Sequence, residues 1–135
     1  MEGRIEYVVD GNNVIGVKPD GWWRDRESAR RRLVADLARA RGADRELQDQ
    51  ELTVFFDGKG ANEEVRSGDA SGVRVIFAPG GPDAADDAIV AYLQQTDDTA
   101  SVVVVTSDSS LARRVRDLGA AVLGSRRFRQ RLDDN

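Results

Sequence analysis

Five short runs of apolar residues punctuate the chain, at 4–9 (RIEYVV), 51–56 (ELTVFF), 73–78 (VRVIFA), 101–106 (SVVVVT) and 120–124 (AAVLG). They are rich in Val, Ile and Phe, which predicts β-strands. The fourth is apolar without alternation, as expected of a strand covered on both faces in a parallel sheet. Between the runs the rhythm changes. Over 25–42, Ala29, Leu33 and Leu37 recur on one helical stripe with Val34 beside it, and Gly42 offers a stop. The segment 82–95 opens with Pro-Asp and carries Ile89, Val90 and Leu93, while 108–119 carries Leu111, Val115 and Leu118 before Gly119. An arginine-rich helix is predicted over 125–132. The order β-α-β-loop-β-α-β-α-β predicts an α/β sandwich with a mostly parallel sheet. The polar segment 57–72 reads as a long loop, a type that is often functional. With no repeat and no linker, residues 1–135 read as a single domain.

Composition narrows the chemistry. The 135 residues include no Cys and no His. A disulfide framework, a thiol nucleophile, a Cys/His zinc site and a Ser-His-Asp triad are therefore excluded. Hydrolysis would have to run on carboxylates, hydroxyls, Lys/Arg or a metal. A carboxylate metal site would favour a hard ion, Mg²⁺ or Mn²⁺. The formal net charge of −4 argues against a strongly basic nucleic-acid protein. No apolar run is long enough to span a membrane. A strand pattern begins at once, without a leader, so a cytoplasmic location is expected.

In an open parallel sheet, ligands bind beyond the carboxyl ends of the strands. The first strand ends in Asp10 and the second in Asp57. The third is followed by Asp83, Asp86 and Asp87, and the fourth by Thr106-Ser107-Asp108. Asp86 precedes Ile89, Val90 and Leu93 by three, four and seven residues and so shares their core-facing stripe. Asp87 is turned about 100° away, toward the rim or solvent. Crowded carboxylates repel, and a divalent cation relieves that repulsion while activating water and holding a phosphate oxygen. Asp10, Asp86 and Asp108 make a reasonable cage. Simpler roles stand beside this one. Asp83 suits an N-cap, as do Asp108, Ser107 or Ser109 for the next helix. Asp86 suits a helix dipole, and Asp57 before Gly58 suits a turn.

The segments VVDGNNVIG, LTVFFDG, AADDAIVAYL and VVVVTSDSSL, in that order, resemble the motifs of NYN domains of the PIN-like nuclease superfamily, most closely the YacP-like branch. The resemblance runs from about residue 4 to 124. Asn12 stands where that family typically has Tyr. The resemblance implies a three-layer α/β/α sandwich with about five strands. It also implies metal-dependent endoribonuclease activity with Mg²⁺ or Mn²⁺. By position, Asp10, Asp86 and Asp108 would be metal ligands and Asp57 and Asp87 accessory acids. Asn13, Thr106 and Ser107 would orient a ligand, water or phosphate. Water would attack in line, leaving a 5′-phosphate and a 3′-hydroxyl.

A polyanionic substrate needs a basic rim. Arg24, Arg26, Arg30, Arg31 and Arg32 come after Trp22-Trp23, and Arg126, Arg127, Arg129 and Arg131 surround Phe128. Arginines beside aromatics suit single-stranded RNA. Lys59 could touch phosphate. The contrary expectation is a solvated Arg30–Arg32 face with one Trp packed on the core. The other function weighed is a non-catalytic module binding RNA or a ribosome partner. A phospho-receiver domain would want paired acids after the first strand and a late Lys, which this chain lacks. A dehalogenase-type phosphatase would want Asp at Asn12, and no Walker loop is present.

Overall fold

In the computed structural model, residues 4–18, 21–58, 68–70, 72–81 and 83–135 are described. The central sheet has the order β3-β4-β2-β1-β5-β6. Its strands are β1 (Glu6–Asp10), β2 (Glu51–Asp57), β3 (Gly68–Ala70), β4 (Val73–Ala78), β5 (Val102–Val105) and β6 (Ala121–Leu123). The pairings β1 with β2, β1 with β5, β2 with β4 and β5 with β6 are all parallel. The five strands expected from the apolar runs are thus the parallel ones. The sixth, β3, lies inside the segment read as a loop and pairs antiparallel with β4. Residues 59–67 of that segment, Lys59 among them, lie outside the described residues.

The helices are α1 (Gly11–Ile15), α2 (Arg26–Ala43), α3 (Arg45–Gln48), α4 (Ala84–Gln94), α5 (Ser109–Asp117) and α6 (Ser125–Asp133), with a 3₁₀ turn at Trp22–Arg24. The two shortest, α1 and α3, were not expected from periodicity. The long α2 starts where the Asp25 carboxylate accepts the Ser28 N–H at 3.0 Å. It continues one residue past Gly42, and Asp44 then caps α3 through the Glu46 N–H.

The helices cover both sheet faces, giving three layers. Tyr7 and Val9 of β1, Leu52, Val54 and Phe56 of β2, and Val105 of β5 pack toward α1, α2, α3 and α6. Val8, Phe55, Val102 and Val104 pack toward α4 and α5. This two-residue alternation also sets which way the residues at each strand end point. Asp10 continues the phase of Val8, Asp57 that of Phe55, and Thr106 that of Val104. All three therefore fall on the α4/α5 side at the carboxyl edge of the sheet.

Two features anchor that edge from behind. Phe128 of α6 is fully buried and its ring lies 6.1 Å from that of Tyr7. It is a core residue, so the expectation of an aromatic shared with arginines at this position does not hold. Gly11, which opens α1, sits on the second strand: a Cβ there would come within 2.4 Å of Phe56 Cε1 and 2.9 Å of the Phe55 carbonyl oxygen. No side chain fits, so α1 can start directly after Asp10 only because this residue is glycine. Gly11→Ala is expected to destabilise the fold by about 1–3 kcal/mol or more through overpacking, as read by chemical denaturation. An unchanged midpoint would show that α1 does not pack on Phe56 as described.

Candidate active site

Asp10 is the most buried carboxylate among the described residues, only 5% exposed. Its Oδ2 accepts the Thr106 hydroxyl at 2.9 Å, and the Asn13 backbone N–H donates to the same carboxylate. Thr106 Oγ1 in turn accepts the Asp108 N–H at 3.1 Å. One hydroxyl thus ties the end of β1 to the loop after β5. Burial, reinforced by the Asp86 and Asp57 charges and opposed by these hydrogen bonds, pushes the Asp10 carboxyl up to about 7.

Asp86 projects from the first turn of α4 and is half-buried, as its place on the core-facing stripe implies. Burial pushes it up to about 6; Asp108, Asp57 and Asp83 add to the shift and Arg114 opposes it. Asp10 therefore senses the Asp86 charge, and Asp57 bears on both. Asp87, by contrast, is 71% exposed and pairs with Arg114 at 3.1 Å, on the solvent side of α4.

Two of the remaining acids, Asp57 and Asp108, hold helices. Asp108 caps α5, its Oδ1 accepting the Ser110 and Leu111 N–H groups at 2.8 and 3.1 Å. Asp83, expected to cap α4, makes no side-chain cap bond. That role falls to Asp57 from the neighbouring strand: its Oδ1 accepts the Ala85 N–H at 2.6 Å. Its Oδ2 accepts the Asn12 amide at 3.4 Å. The Arg30 guanidinium donates to the Asp57 carbonyl at 2.9 Å and stacks over Phe56 and Phe77. Arg30 is thus held in place rather than solvated.

Asn13 and Ser107 meet: the Ser107 N–H donates to Asn13 Oδ1 at 2.8 Å. A third member was not anticipated. Ser125, fully buried at the start of α6, donates its hydroxyl to the same Asn13 oxygen at 2.5 Å, and its N–H donates to Ser107 Oγ at 2.9 Å. The signal in the sequence is a serine opening a helix directly after the last strand. This bond places the first turn of α6, with exposed Arg126 and Arg127, at the site edge. Arg129 and Arg131 of the same helix are committed elsewhere, to Asp36 and Asp133 and to Asp44 and Glu46.

On the other flank, neither tryptophan packs on the core. Trp23 is 52% exposed and Trp22 is partly buried, with ring centroids 6.0 Å apart at 88°. Arg24 stacks over Trp23 and Arg26 over Trp22. A small cleft is lined by Asn12, Ile15, Trp22, Arg26 and Arg30. Asn12 Oδ1 is buried without a hydrogen-bond partner among the described residues, a state that costs about 1–3 kcal/mol unless something supplies a donor.

Could this edge hold a hard cation? Among the described residues no three acidic side chains are already assembled as a metal cage. The donor chemistry nevertheless fits: all the acids offer oxygen, and Asp10 and Asp86 are short of countercharge. At Asp108 the helix cap uses Oδ1 alone and leaves Oδ2 for a ligand.

Across residues 7–135 the chain matches the family model of the YacP-like NYN domain. The chain belongs to that family. UPF0178 proteins of Xanthomonas campestris pv. campestris and Xanthomonas oryzae pv. oryzae are 44% identical over 66 residues, which is 49% of this chain and 38% of theirs. The match thus spans well under half the length of those relatives. Rae1 (YacP) from Bacillus subtilis superposes with a TM-score of 0.72 at 22% identity, covering 95% of this chain and 73% of that one. A mutant form of it gives a TM-score of 0.72 at 23% identity, covering 96% and 74%. At these identities the likeness establishes the PIN-like α/β fold of this YacP-like NYN domain. No helix among its described residues is long and apolar enough to cross a membrane.

The raised Asp10 carboxyl makes a pH prediction for the metal-free domain. Its ordinary value is 3.8 and its folded value about 7, so between these pH values the folded state holds a proton that the unfolded chain has released. Stability is then lost as pH rises through that window. Asp10→Asn removes this titration and is expected to stabilise the domain in EDTA at pH 8, by at most about 4 kcal/mol at 1.36 kcal/mol per pH unit. The gain should vanish near pH 4. Thermal melts of both proteins across this range provide the check, and a gain independent of pH would contradict the assignment.

Proposed function

We propose that this NYN domain is a metal-dependent endoribonuclease that hydrolyses RNA phosphodiester bonds at the acidic edge of the sheet. The observation that carries the reading is the pair Asp10 and Asp86, both pushed up by burial with acidic neighbours adding to it, and supplied by different elements. Such a pair is costly to keep without a use. NYN domains are nucleases, which points the same way. Asp10, Asp86 and Asp108 would hold Mg²⁺ or Mn²⁺, which when bound supplies charge stabilisation and an activated water. The chain's own residues do the positioning. Thr106 fixes the Asp10 carboxylate, and Asn13, Ser107 and Ser125 fix the loop that carries Asp108. Arg126 and Arg127 border this edge and are suited to RNA phosphates. Hydrolysis by in-line attack would leave a 5′-phosphate and a 3′-hydroxyl.

The test is cleavage of end-labelled RNA by the purified protein in Mn²⁺, in EDTA, and with Asp86→Asn. Cleavage is expected in Mn²⁺ alone. It should fall at least about a hundredfold in Asp86→Asn, on the scale of removing one electrostatic contributor to a transition state, with the circular dichroism spectrum unchanged. RNA binding without cleavage in any condition would instead make the domain a binding module.

A further inference from the structure

The carboxylate edge accounts for chemistry on a phosphodiester but not for the flank beside it. Trp23 stands out among the large apolar side chains as exposed, at 52%. Trp22 meets it edge-to-face. Each ring carries a guanidinium, Arg26 on Trp22 at 5.6 Å and Arg24 on Trp23 at 5.8 Å. An exposed indole, a partly buried one beside it and two exposed guanidinium groups suit a ligand with flat bases and phosphates.

The position of the pair adds a second argument. Trp22 and Arg26 line one cleft with Asn12 and Arg30. Asn12 and Arg30 are the residues that hold Asp57, through its carboxylate and its carbonyl. The tryptophans therefore adjoin the acidic edge.

We propose that Trp22, Trp23, Arg24 and Arg26 form a stacking platform for unpaired nucleobases flanking the cleavage site, so that the substrate is single-stranded RNA. The inference rests on the ribonuclease reading for the role of the edge, but not for the binding itself. In a duplex the base faces are covered by their neighbours, and the platform has nothing to stack on.

The chain has only two tryptophans, Trp22 and Trp23, so intrinsic fluorescence reports on the platform directly. The experiment titrates the full chain, in EDTA to prevent cleavage, with a ten-nucleotide single-stranded RNA and with the same sequence as a duplex. Single-stranded RNA is expected to quench the emission and to bind at least about tenfold more tightly than the duplex. Trp23→Ala, at an exposed position, should weaken single-strand binding about five- to a hundredfold by the scale of one base–aromatic stack, with the circular dichroism spectrum unchanged. Trp23→Phe should keep most of the affinity. For the variants, anisotropy of a labelled RNA gives the affinity.

Equal affinity for duplex and single strand, no quenching, or full affinity in Trp23→Ala would each overturn the platform. The two readings fail separately. Cleavage of RNA without quenching leaves the nuclease and removes the platform. Quenching that depends on Trp23, without cleavage in Mn²⁺, leaves the platform and removes the nuclease.

Discussion

Everything at the acidic edge depends on one buried charge at the end of a central strand. β1 lies between β2 and β5, so whatever terminates it has the ends of two other strands beside it. Strand phase then decides direction. Because Val8, Phe55 and Val104 face α4 and α5, the residues two further on do so too, and these are Asp10, Asp57 and Thr106. Burial without full compensation raises Asp10, since one hydroxyl and one backbone N–H cannot replace bulk water around a carboxylate. A fold selected only for stability would place an amide or an apolar residue there.

Much of this was legible in the sequence because it rests on short-range pattern. Short apolar runs rich in Val, Ile and Phe located the five parallel strands, and 3.6-residue periods the four longer helices. The phase of Asp86 relative to Ile89 and Leu93 separates it from Asp87 on sequence alone. Local structure without periodicity escaped. α1 and α3 are one turn or little more, too short to show a repeat, and β3 is three residues inside a polar segment.

Partnerships across the chain escaped as well. Asp83 has the sequence position of a cap, yet Asp57, 28 residues from Ala85, caps α4. The cluster Arg126 to Arg131 reads as one basic patch, but Arg129 and Arg131 are matched to Asp36 and Asp44, 93 and 87 residues away. Phe128 reads as a stacking partner and is core. In each case the sequence states the chemistry of a side chain but not which distant group reaches it first. The Trp22–Trp23 pair shows the converse: one tryptophan could have joined the core, and instead Trp23 is exposed and Trp22 only partly buried.

The double service of the acids bears on how the site can be probed. Asp57 and Asp108 each use one carboxylate oxygen to receive helix N–H groups. The starts of α4, α5 and α6 meet this edge, and their partial positive charge offsets some of the repulsion among the carboxylates. The same helix ends favour an approaching phosphate. Substituting Asp57 or Asp108 therefore removes a cap, which by itself costs about 0.5–2 kcal/mol, together with any role in the chemistry. Loss of activity in those variants mixes folding with catalysis. Asp86 caps no helix and lies on the first turn of α4 with its charge poorly compensated, so its neutral isostere changes the electrostatics of the edge and little else. That makes Asp86 the position from which the chemistry of the site is read most cleanly.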